Sequence, residues 1–280
     1  MGRALETADA TIVKTIDTII LKNDLLDAGI TYKDVLVRDI LFDGVHDELL
    51  IALQTLAALL PDLGFQVPPW EGFAYFTGRN TSVEYDGLFR IGSGTNDWTD
   101  SGLLKTWNGL TRVPFFRDSC GTVHGSTGQV NPPLTSEQIS NPEDFTLFIT
   151  DVCSAFNLKF SEDIEYGGVD GRVWIGDNRI FDNGHNFPET KCQCTAPTEQ
   201  CPTLKSGVLD ISDCKSGAPL LASFPHFYLA DSSYQDALDG LDATREKHEF
   251  QYIMHPFSGI PLEVNGRLQY NIHIKDYGLK

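Results

Sequence analysis

The residues of this 280-residue chain best suited to chemistry are its six cysteines. Cys192, Cys194, Cys201 and Cys214 form one block, and Cys120 and Cys153 lie upstream. Two chemistries suit such a set. Thiolates can hold zinc, which is usually gripped by two Cys-x-x-Cys knuckles. Oxidised in pairs, they become disulfides, which persist outside the reducing cytosol. Here the block runs Cys-x-Cys, then six residues, then twelve, with no second knuckle. That spacing favours disulfides over zinc, with buried free thiols as a third reading. Six cysteines allow fifteen pairings, and spacing alone does not choose among them.

Other reactive patterns are missing from the sequence. Gly92-Ser-Gly94 has the wrong spacing for a nucleophile elbow. There is no His-Glu-x-x-His, no phosphate-binding Gly-x-x-x-x-Gly-Lys and no dinucleotide fingerprint. Asp177 to Gly184 has a superficial likeness to a calcium loop, but lacks the alternating ligands and the distal Glu, so a solvated turn is expected. His226, in Phe224-Pro-His-Phe-Tyr228, reads as a hydrogen-bonded histidine in a packed segment, because no Ser or Cys has a nucleophile's context. His248 lies in the charged run Arg245 to Glu249 and reads as surface. No catalytic residue, metal ligand or cofactor is assigned.

Composition narrows the classes further. The formal net charge is -18, which opposes binding to a phosphate backbone, so no nucleic acid is expected. Hydrophobic residues make up 41% and charged residues 21%, the balance of a globular protein. Residues 1–7 hold no apolar signal core. The longest apolar run, Leu49 to Leu60, is interrupted by Gln54 and Thr55 and stopped by Pro61, too short to span a bilayer. Disulfides without a signal are reconciled if the chain is part of a longer exported protein whose targeting and anchoring segments lie elsewhere. Asn80-Thr-Ser is a sequon beside Gly78 and Arg79, and marks Asn80 as a glycosylation candidate on an exposed turn.

The elements that would position these residues fall into two textures. Residues 8–27 have Ile12, Val13, Ile16, Ile19 and Ile20 on one helical face, and Gly29 ends the run. Residues 46–60 predict a second helix that is apolar almost all round, either a core helix or a partner-binding one. From Val67 onward, short aromatic runs alternate with turns. Strands are expected at 73–76, 87–91, 103–107, 112–116, 145–150, 155–160, 172–175, 207–211, 219–224 and 249–254, and along one long run from Leu262 to Ile274. The fold class is therefore α+β, dominated by antiparallel sheet.

Gly207-Val-Leu-Asp-Ile-Ser-Asp-Cys-Lys-Ser-Gly-Ala-Pro-Leu-Leu-Ala-Ser-Phe-Pro-His-Phe-Tyr-Leu-Ala-Asp231 resembles the class B scavenger receptor family. So do Lys105-Thr-Trp-Asn-Gly109, the first-cysteine segment Asp118 to Gly128, Asp239 to His248, and Pro256-Phe-Ser-Gly-Ile-Pro-Leu262. The resemblance implies an antiparallel β-barrel-like sheet with an apical helical bundle, incomplete here at its N-terminal side. Residues 1–66 would be the apical helical segment. Residues 67–280 would be the β-rich ectodomain core, with the disulfide block at 120–214. It implies the pairs Cys120 with Cys192, Cys153 with Cys214, and Cys194 with Cys201. It further implies a membrane glycoprotein with a transmembrane helix at each end of the full chain, and an ectodomain tunnel that conducts lipid. Expected partners are lipids (fatty acids, sterols, carotenoids or phospholipids), lipoprotein particles, or a protein ligand at the apical helices. Lys22 would match an apical lysine that receives fatty-acid carboxylates. The implied setting is the plasma membrane or a lysosomal or endosomal membrane, with this part extracellular or lumenal.

Overall fold

The computed structural model describes residues 34–46, 54, 74, 76, 86–215 and 217–273. The chain divides into two units, Met1–Asp86 with Ser216–Pro219 and Ile274–Lys280, and Gly87–Lys215 with Leu220–His273. In the first, Asp39–Asp43 forms a single π-helical turn, closed where Gly44 takes φ 102°, a conformation that glycine adopts without strain. Phe42 stacks on Phe76 at 5.6 Å between ring centroids. The expected helix over 8–27, Lys22 and Asn80 lie outside the described residues, as do most of the second helix and half of the strand over 73–76.

The second unit holds the sheets. Strands β1 (Phe89–Ile91) and β2 (Leu104–Trp107) pair antiparallel. A tight turn follows β2, with Asn108 and Gly109 at φ 51° and 77°, so that Trp107 and Leu110 exchange both backbone hydrogen bonds. Asn-Gly suits this reversal because both residues tolerate positive φ. Next come β3 (Phe145–Ile149), β4 (Ser154–Tyr166), β5 (Val169–Ile175), β6 (Leu209–Asp210), β7 (Leu220–Ser223), β8 (Gln251–Met254), β9 (Pro261–Asn265) and β10 (Gln269–Ile272). Antiparallel pairing builds a five-stranded sheet in the order β3-β4-β5-β8-β9 and a three-stranded sheet in the order β10-β7-β6. Short helices α1 (Ser136–Ser140), α2 (Ser232–Asp236) and α3 (Arg245–His248) lie in the connections. The described part is thus α+β and mainly antiparallel sheet.

Three local expectations are corrected. The segment 112–116 makes only an isolated bridge, Arg112 to Thr122. Pro114 has no N–H to offer a ladder, and Val113 and Phe116 are buried from irregular backbone instead. The run Leu262 to Ile274 is two strands in two sheets. It bends after Asn265, and the Arg267 guanidinium then donates to the carbonyls of Glu246 and Glu249 at 2.9 and 3.1 Å. β4 runs on well past Phe160 through a bulge between Phe160 and Glu162, which turns Glu162 and Ile164 to the face opposite Phe160 and Trp174.

The main core packs one face of the five-stranded sheet against the cysteine-rich segment. Phe156, Leu158, Trp174 and Tyr252 come from the sheet, and Ile180, Phe181, Leu209, Ile211 and Phe224 from the opposing layer. Phe181 makes edge contacts with Phe156 at 5.4 Å and with Phe224 at 4.9 Å, joining the layers. Tyr252 is fully buried and keeps its hydroxyl satisfied, donating to the Gly128 carbonyl and accepting from the Asn131 amide. Burial pushes its phenol up to about 12.

Candidate functional site

The six cysteines form three bridges that tie the irregular segment 177–214 to the turn at Asp118–Gly121, to the turn between β3 and β4, and to itself. Cys120 is joined to Cys192, Cys153 to Cys214, and Cys194 to Cys201. The first two bridges span 72 and 61 residues and the third spans 7. By chain entropy each long bridge stabilises by about 4 kcal/mol and the short one by about 2 kcal/mol. Arg117 reaches into the small loop. Its guanidinium donates to the Cys194 carbonyl at 2.5 Å, and to the Ala196 carbonyl and the Thr198 hydroxyl. A planar, always charged group with several donors suits a loop whose carbonyls have no ladder partner.

The layer has a polar centre that sequence reasoning missed. Asp177 to Gly184 is no solvated turn: Ile180, Phe181, Asp182 and Asn183 are all buried. Asp182 has no exposed surface, and its carboxylate accepts from the Phe187 amide (2.8 Å), the Ser206 hydroxyl (2.8 Å), the Asn186 amide (2.9 Å) and the Thr190 hydroxyl (3.0 Å). Burial alone would raise this carboxyl. The hydrogen bonds from Phe187, Ser206, Asn186 and Thr190 outweigh it and hold the group below its ordinary value. Nearby, the Gln193 amide donates to the Ile180 carbonyl at 2.9 Å, and its oxygen accepts from the Asn183 N–H at 3.2 Å. Gly207, at φ 102°, lies so close to Ala230 that a Cβ there would sit 2.0 Å from the alanine methyl.

The other face of the five-stranded sheet is a second feature. By strand register, Glu162 of β4, Val173 of β5, Ile253 of β8 and Glu263 of β9 share one face, opposite Trp174 and Tyr252. Ile164 and Gly171 pair on that same face. A Cβ placed on Gly171 would meet Ile253, Ile164 and Leu262 at 3.2–3.3 Å, so three aliphatic side chains converge over the glycine. Val173 and Ile253 are only 3% and 5% exposed, yet neither belongs to the main core. Glu263 bonds to Tyr166 and pushes its phenol up. Antiparallel sheets commonly offer one apolar and one polar face. Here the second face carries an apolar patch of its own, at Ile164, Val173, Ile253 and Leu262, with the polar residues Lys159, Glu162, Gln251 and Asn265 around it.

His226 is hydrogen-bonded, accepting at Nδ1 from the Asp242 amide at 3.0 Å. His248 departs from expectation: it is 8% exposed, because α3 turns it inward onto His226 while Arg245 stays out. Among the described residues no group of three or more His, Cys, Asp and Glu side chains gathers to hold a metal. Among them, too, no helix is long and apolar enough to cross a membrane.

Such a site defines a disulfide-stapled, β-rich protein of an oxidising compartment, with an apolar patch on the sheet face beyond its core. The chain belongs to the CD36 family, whose profile matches residues 5–279. It is 34% identical over 255 residues to Protein peste of Drosophila melanogaster, covering 91% of this chain and 43% of that protein. It is 31% identical over 210 residues to Scavenger receptor class B member 1 of Sus scrofa, covering 74% and 38%. It is 33% identical over 243 residues to Lysosome membrane protein 2 of Homo sapiens, covering 85% and 45%. The chain therefore spans less than half the length of each of these relatives.

Proposed function

We propose that this chain is the β-rich ectodomain core of a scavenger-receptor-like membrane glycoprotein that binds lipids or lipoprotein particles and passes lipid through an enclosed interior toward the membrane. The observation that carries the reading is the apolar patch on the second face of the five-stranded sheet. Ile164, Val173, Ile253 and Leu262 form a wall that a solvated sheet would not need. A wall of this kind suits the lining of a lipid conduit, because it makes dispersion contacts without asking for hydrogen bonds. The disulfide layer serves as scaffold: both oxygens of Asp182 are taken up by donors of the layer, leaving neither for a ligand. No covalent chemistry is assigned to the chain.

In this proposal residues 1–66 supply apical helices, and Lys22 receives a fatty-acid carboxylate there. Asn80 carries a glycan. The protein resides in the plasma membrane or a lysosomal or endosomal membrane. A second reading, a lysosomal trafficking receptor that holds a protein partner at its apical helices, draws support from the likeness to Lysosome membrane protein 2. Lipid extraction and mass spectrometry on the purified full-length protein separate the two. Co-purifying lipid that is lost in Ile253→Glu supports the conduit. A stoichiometric protein partner with no bound lipid overturns it.

A further inference from the structure

One feature outside both the disulfide layer and the sheet wall joins four pieces of chain. His226 and His248 stack face to face, with ring centroids 4.4 Å apart and planes 23° from parallel. Each ring accepts a backbone N–H at Nδ1. Asp242 donates to His226 at 3.0 Å, and Thr244 donates to His248 at 2.9 Å. A backbone amide always carries its hydrogen, so both Nδ1 atoms must be bare and both protons must sit on Nε2. The arrangement therefore requires two neutral imidazoles. His226 is held in place by its own N–H, which donates to the Gln269 side chain of β10 at 3.0 Å. It sits at φ 53° next to Phe227 at φ 55°, both in the left-handed region that non-glycine residues seldom take. The local fold thus spends backbone strain to present this ring to the loop.

We propose that the His226–His248 stack is an acid-sensitive latch, which holds the loop 238–244 against the segment 225–228 when both imidazoles are neutral and releases it when they protonate. Protonation puts a hydrogen on each Nδ1 that points at an N–H donor, so both loop hydrogen bonds are lost together. It also sets two positive charges one ring-stack apart. The neighbours do not cancel this. Asp239 and Asp242 lie on the loop itself, and Asp242 favours the charged His248. Lys247 on α3 opposes it, Arg245 is engaged by Glu249 at 3.0 Å, and Arg267 from the bend before β10 lies on the carbonyls of Glu246 and Glu249. Tyr228, raised by burial and then by Glu249, remains neutral. Burial first, and the charge on His226 second, lower the His248 pKa from its ordinary value.

The sign follows from that direction. A base whose pKa is lowered in the latched state binds fewer protons there than when released. Latching is therefore fully favoured above the ordinary imidazole value of about 6.5 and weakens as pH falls below it. In a compartment at about pH 5 the latch is therefore weaker than at neutral pH. This inference stands on the stack alone and does not rest on lipid binding.

Hydrogen exchange read by mass spectrometry on the full-length protein tests it. After correction for intrinsic exchange, amides in 238–244 should exchange several-fold faster at about pH 5 than at about pH 7.5, while β5 amides stay unchanged. The double variant His226→Asn with His248→Asn keeps an acceptor near each Nδ1 position that does not titrate, and should flatten the pH dependence. Equal corrected rates in the native protein at both pH values, or the same acceleration in the variant, would overturn the latch. If β5 exchange shows that the variant does not fold, histidine ring NMR of the native protein decides. His248 titrating in step with loop release supports the proposal, and His248 remaining neutral at about pH 5 overturns it.

Discussion

The five-stranded sheet and the cysteine-rich layer bury their interiors equally well by opposite means. The sheet is regular. Each strand finds its neighbour through a fixed register, and Trp174, Tyr252, Phe156 and Leu158 fall on the core face by alternation. The layer from Asp177 to Cys214 has only one two-residue strand and two short 3-10 helices. Its backbone groups cannot pair along a ladder, so they close on side chains: Asp182 gathers donors from four residues, Arg117 gathers carbonyls, and Gln193 does some of both. The difference teaches what irregular chain requires in order to be buried. Where no ladder satisfies the backbone, a charged hub and cross-links take its place, and the hub's charge makes that region sensitive to acid.

The sheet and the layer should therefore fail under different insults. Replacing both Cys153 and Cys214 by Ala should cost about 4 kcal/mol in chemical denaturation, because a 61-residue loop is released. Exchange should rise across 177–214 before it rises in β4 and β5. Trp174→Ala should cost about 3–5 kcal/mol and open the sheet first. Asp182→Ala should cost about 3 kcal/mol, since it orphans several buried donors at once. Its pH signature separates it from a packing defect. The native carboxyl is held below its ordinary value, so its contribution is complete above the carboxylate range and is lost as pH falls through the lowered value. Acid titration of stability should show that loss in the native protein and not in Asp182→Ala. Tyr252→Phe should be the mildest, about 1 kcal/mol in the same denaturation assay, because it removes hydroxyl bonds from the sheet's core face without leaving a cavity. If reduction of the disulfides loosened β4 and β5 as early as the layer, the contrast between the two regions would collapse.

Legibility in the sequence followed the same division. The strands of the regular sheet were readable because period-two alternation is a local signal, as in Phe156, Leu158 and Phe160 of β4. The bend that splits β9 from β10 was not, because Gly266-Arg267 interrupts the alternation without breaking it. In the layer, spacing left the fifteen cysteine pairings open, and the implied pairs came from resemblance. Asp182 was passed over because an aspartate among Asp177, Asn178, Asn183 and Gly184 reads as solvent-facing. Its partners Asn186, Phe187, Thr190 and Ser206 are spread over the next 24 residues. The available hint was its place directly after Ile180-Phe181. His248 was misplaced for a similar reason: charge in Arg245 to Glu249 hid a helix with one inward face.

The central claim is that the sheet face opposite the core lines a lipid conduit. A photoactivatable fatty acid with a mid-chain diazirine, crosslinked to the full-length protein and mapped by peptide mass spectrometry, tests it most directly. Labels are expected on Ile164, Val173, Ile253 or Leu262, competed away by unlabelled lipid. Specific labels confined to the cysteine-rich layer, or none competed by lipid anywhere on β4, β5, β8 and β9, would contradict it.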